Sequence, residues 1–131
     1  MKICLDSSVI LAACGRLQGA SHAIFDLAPA QHWLLLASHY IIREVDKNVR
    51  LRLLAAARLE WQRLRPALSI VSDALTHPWP VIFPAAKDRP VLFTAAAWAD
   101  VLLTLDQADF EGVMGAGFYG LPVMKPADFK P

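Results

Sequence analysis

The chain has 131 residues, of which 56% are apolar and only 19% charged, with a formal net charge of +1. That length fits one domain, residues 1–131, with a core large enough to need no staples. Disorder requires the opposite balance of apolar and charged residues, and a polybasic nucleic-acid binder is excluded on bulk charge. The apolar run Lys2–Leu5 ends at Asp6 and predicts a strand, with Ser7 or Ser8 capping a helix to Cys14. Ser21 caps a second helix, stopped by Pro29. Trp33–Ala37 is a continuous apolar run, as in a strand buried on both faces. Ser38 then opens a long helix reaching Arg65, with Ile42, Val45, Val49, Leu53 and Ala56 as its core stripe. Leu68–Val71 is a third strand. Residues 76–90 contain four prolines and form a loop, with Val81–Phe83 extended. A helix from Asp88 to Ala99 carries Pro90 in its first turn, where proline is favourable. Val101–Leu105 and Leu121–Met124 complete five strands.

The opening segment superficially resembles a secretion signal with a lipoprotein box at Leu11-Ala12-Ala13-Cys14. Asp6, Ser7 and Ser8 interrupt the apolar stretch that such a signal requires. No run is long enough for a membrane span. Cys4 and Cys14 have no metal-ligand spacing and read as reduced, buried thiols of a cytoplasmic protein.

Apolar strands alternating with helices predict an α/β fold, a three-layer α/β/α arrangement around a parallel sheet. Ligands of such sheets bind beyond the carboxyl ends of the strands. Asp6 and Asp106 fall at strand ends, Asp109 lies in the same loop as Asp106, Asp88 opens a helix, and Glu44 lies in the long helix. Each has an ordinary structural role available: Asp88 as a helix cap, Asp106 as a turn residue, Glu44 as a solvated helix residue. Their joint placement says more. Converging carboxylates repel unless a cation offsets them, and all-oxygen sites select Mg²⁺ or Mn²⁺.

The order of motifs resembles the PIN domain, a small metal-dependent nuclease fold. The matching segments are Asp6-Ser7-Ser8, Arg43-Glu44-Val45, Lys87-Asp88-Arg89-Pro90-Val91-Leu92, Ala99 to Phe110 and Pro122 to Phe129. The resemblance spans nearly the whole chain and implies a five-stranded parallel sheet. It implies RNA phosphodiester hydrolysis with Mg²⁺ or Mn²⁺. Many small members are toxins of toxin–antitoxin pairs, so an antitoxin partner is implied as well. Asp6, Glu44, Asp88 and Asp106 would form the catalytic and metal-binding set, with Asp109 as a further acid. Ser8 and Thr104 would orient the carboxylates, and Asp100 would buttress the start of its strand. The four histidines carry no matching motif. A PIN-like module that binds RNA or protein without cutting would be expected to have lost one of these acids. Asp6 at the first strand end would also suit a phosphatase nucleophile, but the Asp6-Ser7-Ser8 turn lacks the second aspartate such phosphatases usually show, and a nucleotide-binding domain would require glycine-loop motifs that this chain lacks.

The net charge conceals an uneven distribution: residues 43–65 carry +4 and residues 66–131 carry −3. On a helical wheel Arg43, Lys47, Arg50, Arg58 and Arg65 share one stripe, which reads as a solvated face, a track for an RNA backbone or a dock for an acidic segment. Arg43, Lys47 and Arg50 are the RNA-binding candidates. Trp61 falls in the same stripe and reads as interfacial. With four tryptophans and few charges, the chain is expected to form a homodimer.

Overall fold

The computed structural model describes all residues from 1 to 131. Five strands, β1 (Lys2–Leu5), β2 (Leu34–Ser38), β3 (Leu68–Val71), β4 (Val101–Leu103) and β5 (Val123–Met124), form one sheet in the order β3-β2-β1-β4-β5. Every pairing is parallel. Ile3, Cys4 and Leu5 are all buried, as are Val101, Leu102 and Leu103. Consecutive buried residues mean that both sheet faces are covered. The helices α1 (Ser7–Gly15), α2 (Ala20–Gln31), α3 (His39–Arg52), α4 (Ala55–Leu64), α5 (Arg89–Trp98) and the one-turn α6 (Gln107–Phe110) flank it. The α/β class and the five-stranded parallel sheet are those the sequence predicts.

The chain builds outward from β1 through β2 to β3, then returns to place β4 on the other side of β1. The order of strands therefore reverses between β1 and β4, and a crevice opens at their carboxyl ends. Leu5 pairs with Leu103 there, so Asp6 and Thr104 leave the sheet side by side. At the opposite end Asp100 accepts a hydrogen bond from the Lys2 amide at 2.8 Å, tying β4 to the start of β1.

Several local expectations are corrected. Asp6, not a serine, caps α1: its backbone is extended and its carboxylate accepts from the Ser7 amide. Neither serine hydroxyl is needed for the cap. α2 begins after Gly19 rather than from a Ser21 cap, and it runs through Pro29. It stops at His32, whose left-handed backbone (φ 58°) lets the Trp33 amide reach the Ala28 carbonyl.

The long helix is two helices, broken at Leu53 and Leu54, both of which have extended backbones. The Arg58 guanidinium holds the end of α3, donating to the Leu53 carbonyl and the Arg50 carbonyl at 3.1 Å each. No glycine or proline marks this break. It turns α4 so that Ala57, Trp61 and Leu64 face the core, while Ala56 is exposed. Trp61 is thus a core residue, not an interfacial one: it is 4% exposed, and its indole N–H donates to Asp46 at 2.8 Å. The five-residue basic stripe does not survive the break. Arg58 is engaged with carbonyls, and Arg65 lies over the Trp61 ring and near Asp46. Arg43, Lys47 and Arg50 remain as exposed side chains of α3.

Val81–Phe83 forms no strand. Phe83 is instead buried against Phe110, with ring centroids 5.3 Å apart. β4 ends at Leu103, two residues early, because the Thr104 side chain has drawn the chain into a turn. β5 contains only Val123 and Met124, since Leu121 bridges back to Phe118.

Candidate metal centre

Asp6 is the hub of the crevice. It is 5% exposed, so its charge rests on donors supplied by its neighbours. Oδ1 accepts from the Ser7 amide at 2.9 Å. Oδ2 accepts from the Ser8 hydroxyl at 2.9 Å and the Thr104 hydroxyl at 2.7 Å. Burial pushes the Asp6 carboxyl above its ordinary range, these three hydrogen bonds pull it back, and Glu44 adds a further push upward. The same environment drives the neighbouring Cys4 thiol up to about 12, chiefly through burial, so it stays a thiol.

Hydroxyls connect Asp6 to the other elements. Thr104 Oγ1 also accepts from the Asp106 amide at 3.0 Å, and Ser8 Oγ accepts from the Leu105 amide at 3.0 Å. The turn after β4 is therefore fastened to the turn after β1. Ser7, on the other side, donates to Glu44 Oε1 at 2.6 Å and links α1 to α3. Sequence reasoning assigned Ser7 only a capping role, and nothing in the pattern indicated a partner 37 residues away.

Three carboxylates meet beside this framework. Asp88, Asp106 and Asp109 each offer an oxygen, and these oxygens lie within 4.8 Å of one another. Asp6 and Glu44 lie outside that mutual group: Thr104 links Asp6 to the Asp106 amide, and Ser7 ties Glu44 to α1. Asp106 caps α6, accepting from the Asp109 amide at 3.0 Å, which folds Asp109 back toward it. Asp88 occupies the cap position of α5, yet its side chain makes no capping hydrogen bond. Its Oδ2 is buried without a hydrogen-bond partner. Burial, the contact with Asp109 and the negative charges of Asp6 and Asp109 push Asp88 up to about 7. Asp109 is held below the usual carboxylate range, first by Asp88 and then by Lys87. Lys87 lies 3.2 Å from Asp109 Oδ2 and is held above its ordinary range by that carboxylate first.

A buried carboxylate oxygen with no donor is costly unless something positive reaches it. An all-oxygen cluster with that deficit suits a hard divalent cation, Mg²⁺ or Mn²⁺, better than a soft one. The residues present therefore fit such an ion.

Two further groups at the site carried no signal in sequence. The Tyr40 hydroxyl donates to the Lys87 carbonyl at 3.3 Å, and the nearby Glu44 and Asp88 add to burial in raising its pKa. Lys87 was matched only as the neighbour of Asp88. Arg43 sits beside Glu44 on α3, and Lys47 and Arg50 extend about 10 Å further along the helix.

No protein-family model matches the chain, and no curated protein matches it in sequence. The likeness that exists is of fold. A chain in the crystal structure of VapBC2 from Rickettsia felis bound to a DNA fragment from their promoter superposes with a TM-score of 0.65. The alignment covers 94% of this chain and 97% of that one, at 14% sequence identity. The two share an α/β architecture over essentially their whole lengths, and the five-stranded parallel sheet is consistent with a PIN-like fold. No helix is long and apolar enough to cross a membrane.

Proposed function

We propose that the chain is a single-domain, cytoplasmic endoribonuclease that hydrolyses RNA phosphodiester bonds with Mg²⁺ or Mn²⁺. The observation that carries this reading is the partnerless buried oxygen of Asp88, on a carboxylate that clusters with those of Asp106 and Asp109. Asp88, Asp106 and Asp109 would hold the ion, with Asp6 and Glu44 completing the acidic set. When bound, a divalent ion offsets the carboxylates' charge, lowers the pKa of water and stabilises negative charge on a phosphate.

The protein's own contribution is orientation. Ser8 and Thr104 fix the position of Asp6 by donating to one oxygen, and those bonds favour its ionised form against the effect of burial. Ser7 fixes Glu44. The Thr104 hydroxyl also holds the Asp106 amide, so the acids on either side of the crevice keep one spacing. Arg43, Lys47 and Arg50 supply the sequence-independent attraction for an RNA backbone. Binding through phosphates is consistent with their exposure.

The likeness to a VapBC2 chain, solved as a complex, supports a role as the toxin of a type II toxin–antitoxin pair with an antitoxin partner. Exposed Leu51, Leu54 and Leu59 around the α3–α4 break, together with Trp79 and Ile82, support a protein-binding surface and a homodimer.

Cleavage of RNA with and without EDTA is the test. Asp6→Asn, Asp88→Asn and chelation should each abolish cleavage, with folding retained by circular dichroism. Wild-type cleavage by Asp6→Asn would place the chemistry elsewhere. Static light scattering reads the homodimer directly, and a monodisperse monomer would refute it.

A further inference from the structure

We propose that Lys87 is a tethered counter-ion of the acidic cluster, standing where a divalent cation must displace it. The inference rests on the metal-site part of the reading above and concerns how that site is regulated.

Five carboxylates gather at the end of the sheet: Asp6, Glu44, Asp88, Asp106 and Asp109. The only ion pair that any of them makes is Lys87 Nζ with Asp109 Oδ2, at 3.2 Å. The other cation of the segment is diverted, because Arg89 donates its Nε–H to the Phe83 carbonyl at 3.0 Å. Arg43, Lys47 and Arg50 make no ion pair with the cluster. One ammonium thus faces the excess charge alone.

Its attachment suits a group that comes and goes. The backbone of Lys87 is fixed in the 3₁₀ turn Ala86–Asp88, with its carbonyl held by Tyr40. The side chain is 73% exposed and makes a single ionic contact. A lysine stem is flexible, and its head is strongly hydrated, so leaving Asp109 for water costs little. A monovalent ion gains no charge by replacing an ammonium. A divalent ion gains one charge and also reaches the Asp88 oxygen that Lys87 leaves unpartnered. Lys87 therefore weakens binding of every cation while excluding monovalent ones most effectively, and it limits repulsion in the metal-free protein.

The experiment compares wild type, Lys87→Gln and Lys87→Arg, all stripped of metal. Mn²⁺ binding is read by calorimetry and thermal unfolding is followed with and without Mn²⁺. Lys87→Gln should bind Mn²⁺ roughly two- to fivefold more tightly, the range of an exposed ion pair. Its metal-free Tm should fall, and Mn²⁺ should raise that Tm by more than it does in wild type. Lys87→Arg should behave as wild type. Unchanged or weaker Mn²⁺ binding by Lys87→Gln overturns the proposal, as does an equal loss of Tm with and without metal, which is what a purely structural lysine gives. If the Mn²⁺ shifts appear but RNA stays intact, the nuclease reading fails and this inference stands. If RNA is cleaved and Lys87→Gln binds Mn²⁺ as wild type does, this inference alone fails.

Discussion

Replacing Thr104 with valine tests whether the hydroxyl framework holds the crevice together. The two side chains have nearly the same shape, so packing is preserved at a position that is 0% exposed. Two hydrogen bonds are lost. One is the 2.7 Å bond to Asp6 Oδ2, the shortest of the three on that carboxylate. A bond to a charged group contributes about 1.5–3 kcal/mol. The other is the 3.0 Å bond from the Asp106 amide, and leaving that donor unpaired costs about 1 kcal/mol at this part-buried site. The total is about 3 kcal/mol. With an m-value of about 1–3 kcal/mol per molar urea, the unfolding midpoint should drop by roughly 1–3 M. Thr104→Ser keeps the hydroxyl and loses one methyl group, so it should cost about 1 kcal/mol. Equilibrium urea unfolding monitored by circular dichroism measures both variants. A valine variant within about 0.5 kcal/mol of wild type, or a serine variant as damaged as the valine one, would refute the assignment of this role to the hydroxyl.

Other outcomes follow from the fold. Arg58→Ala should destabilise the protein by about 1 kcal/mol and speed amide exchange at the end of α3, as read by hydrogen-exchange mass spectrometry; protection unchanged there would refute the capping role. Trp61→Ala should cost about 3–5 kcal/mol, whereas Trp79→Ala, at a 61% exposed site, should cost under about 1 kcal/mol; equal losses in denaturant titrations would return Trp61 to the surface. The Glu60 carboxyl is held below its ordinary range, first by hydrogen bonding to Arg63. A depressed carboxyl stabilises the fold above its unfolded pKa, and that contribution disappears as pH falls through the folded value. Glu60→Gln should therefore cost about 0.5–1 kcal/mol at pH 7 and progressively less as pH falls through the folded value; a loss independent of pH would show that packing, not charge, is responsible.

The strands were the most legible part of the sequence. Lys2–Leu5 has the predicted bounds because a parallel strand covered on both faces reads as an apolar run; Leu68–Val71 has them too, although it is an edge strand interrupted by Ser69 and with Ile70 exposed. The α3–α4 break was invisible. Leu53 and Leu54 look helical, and the group that terminates α3 is an arginine five residues past Leu53, whose role depends on three-dimensional reach. Reading one helix through the break rotated every later residue, which is why Trp61 seemed to face outward. Pro29 misled for a related reason: the stop is the left-handed backbone at His32, a residue without the usual signature of that conformation. At the candidate site the acids stood out because their positions at strand ends follow from topology. The separation of Asp88, Asp106 and Asp109 from Asp6 and Glu44 was not legible, since it depends on which side chain reaches which hydroxyl. Lys87 and Tyr40 were obscured for the same reason.

The 98-residue separation between Asp6 and Thr104 has a consequence for synthesis. A chain still on the ribosome, ended before Val101, holds Asp6 with its main donor missing and no strand across the switch point. The crevice closes only after β4 has been made and has slotted beside β1. The acidic centre is thus assembled only once β4 is in place, and chains that end before it lack the centre.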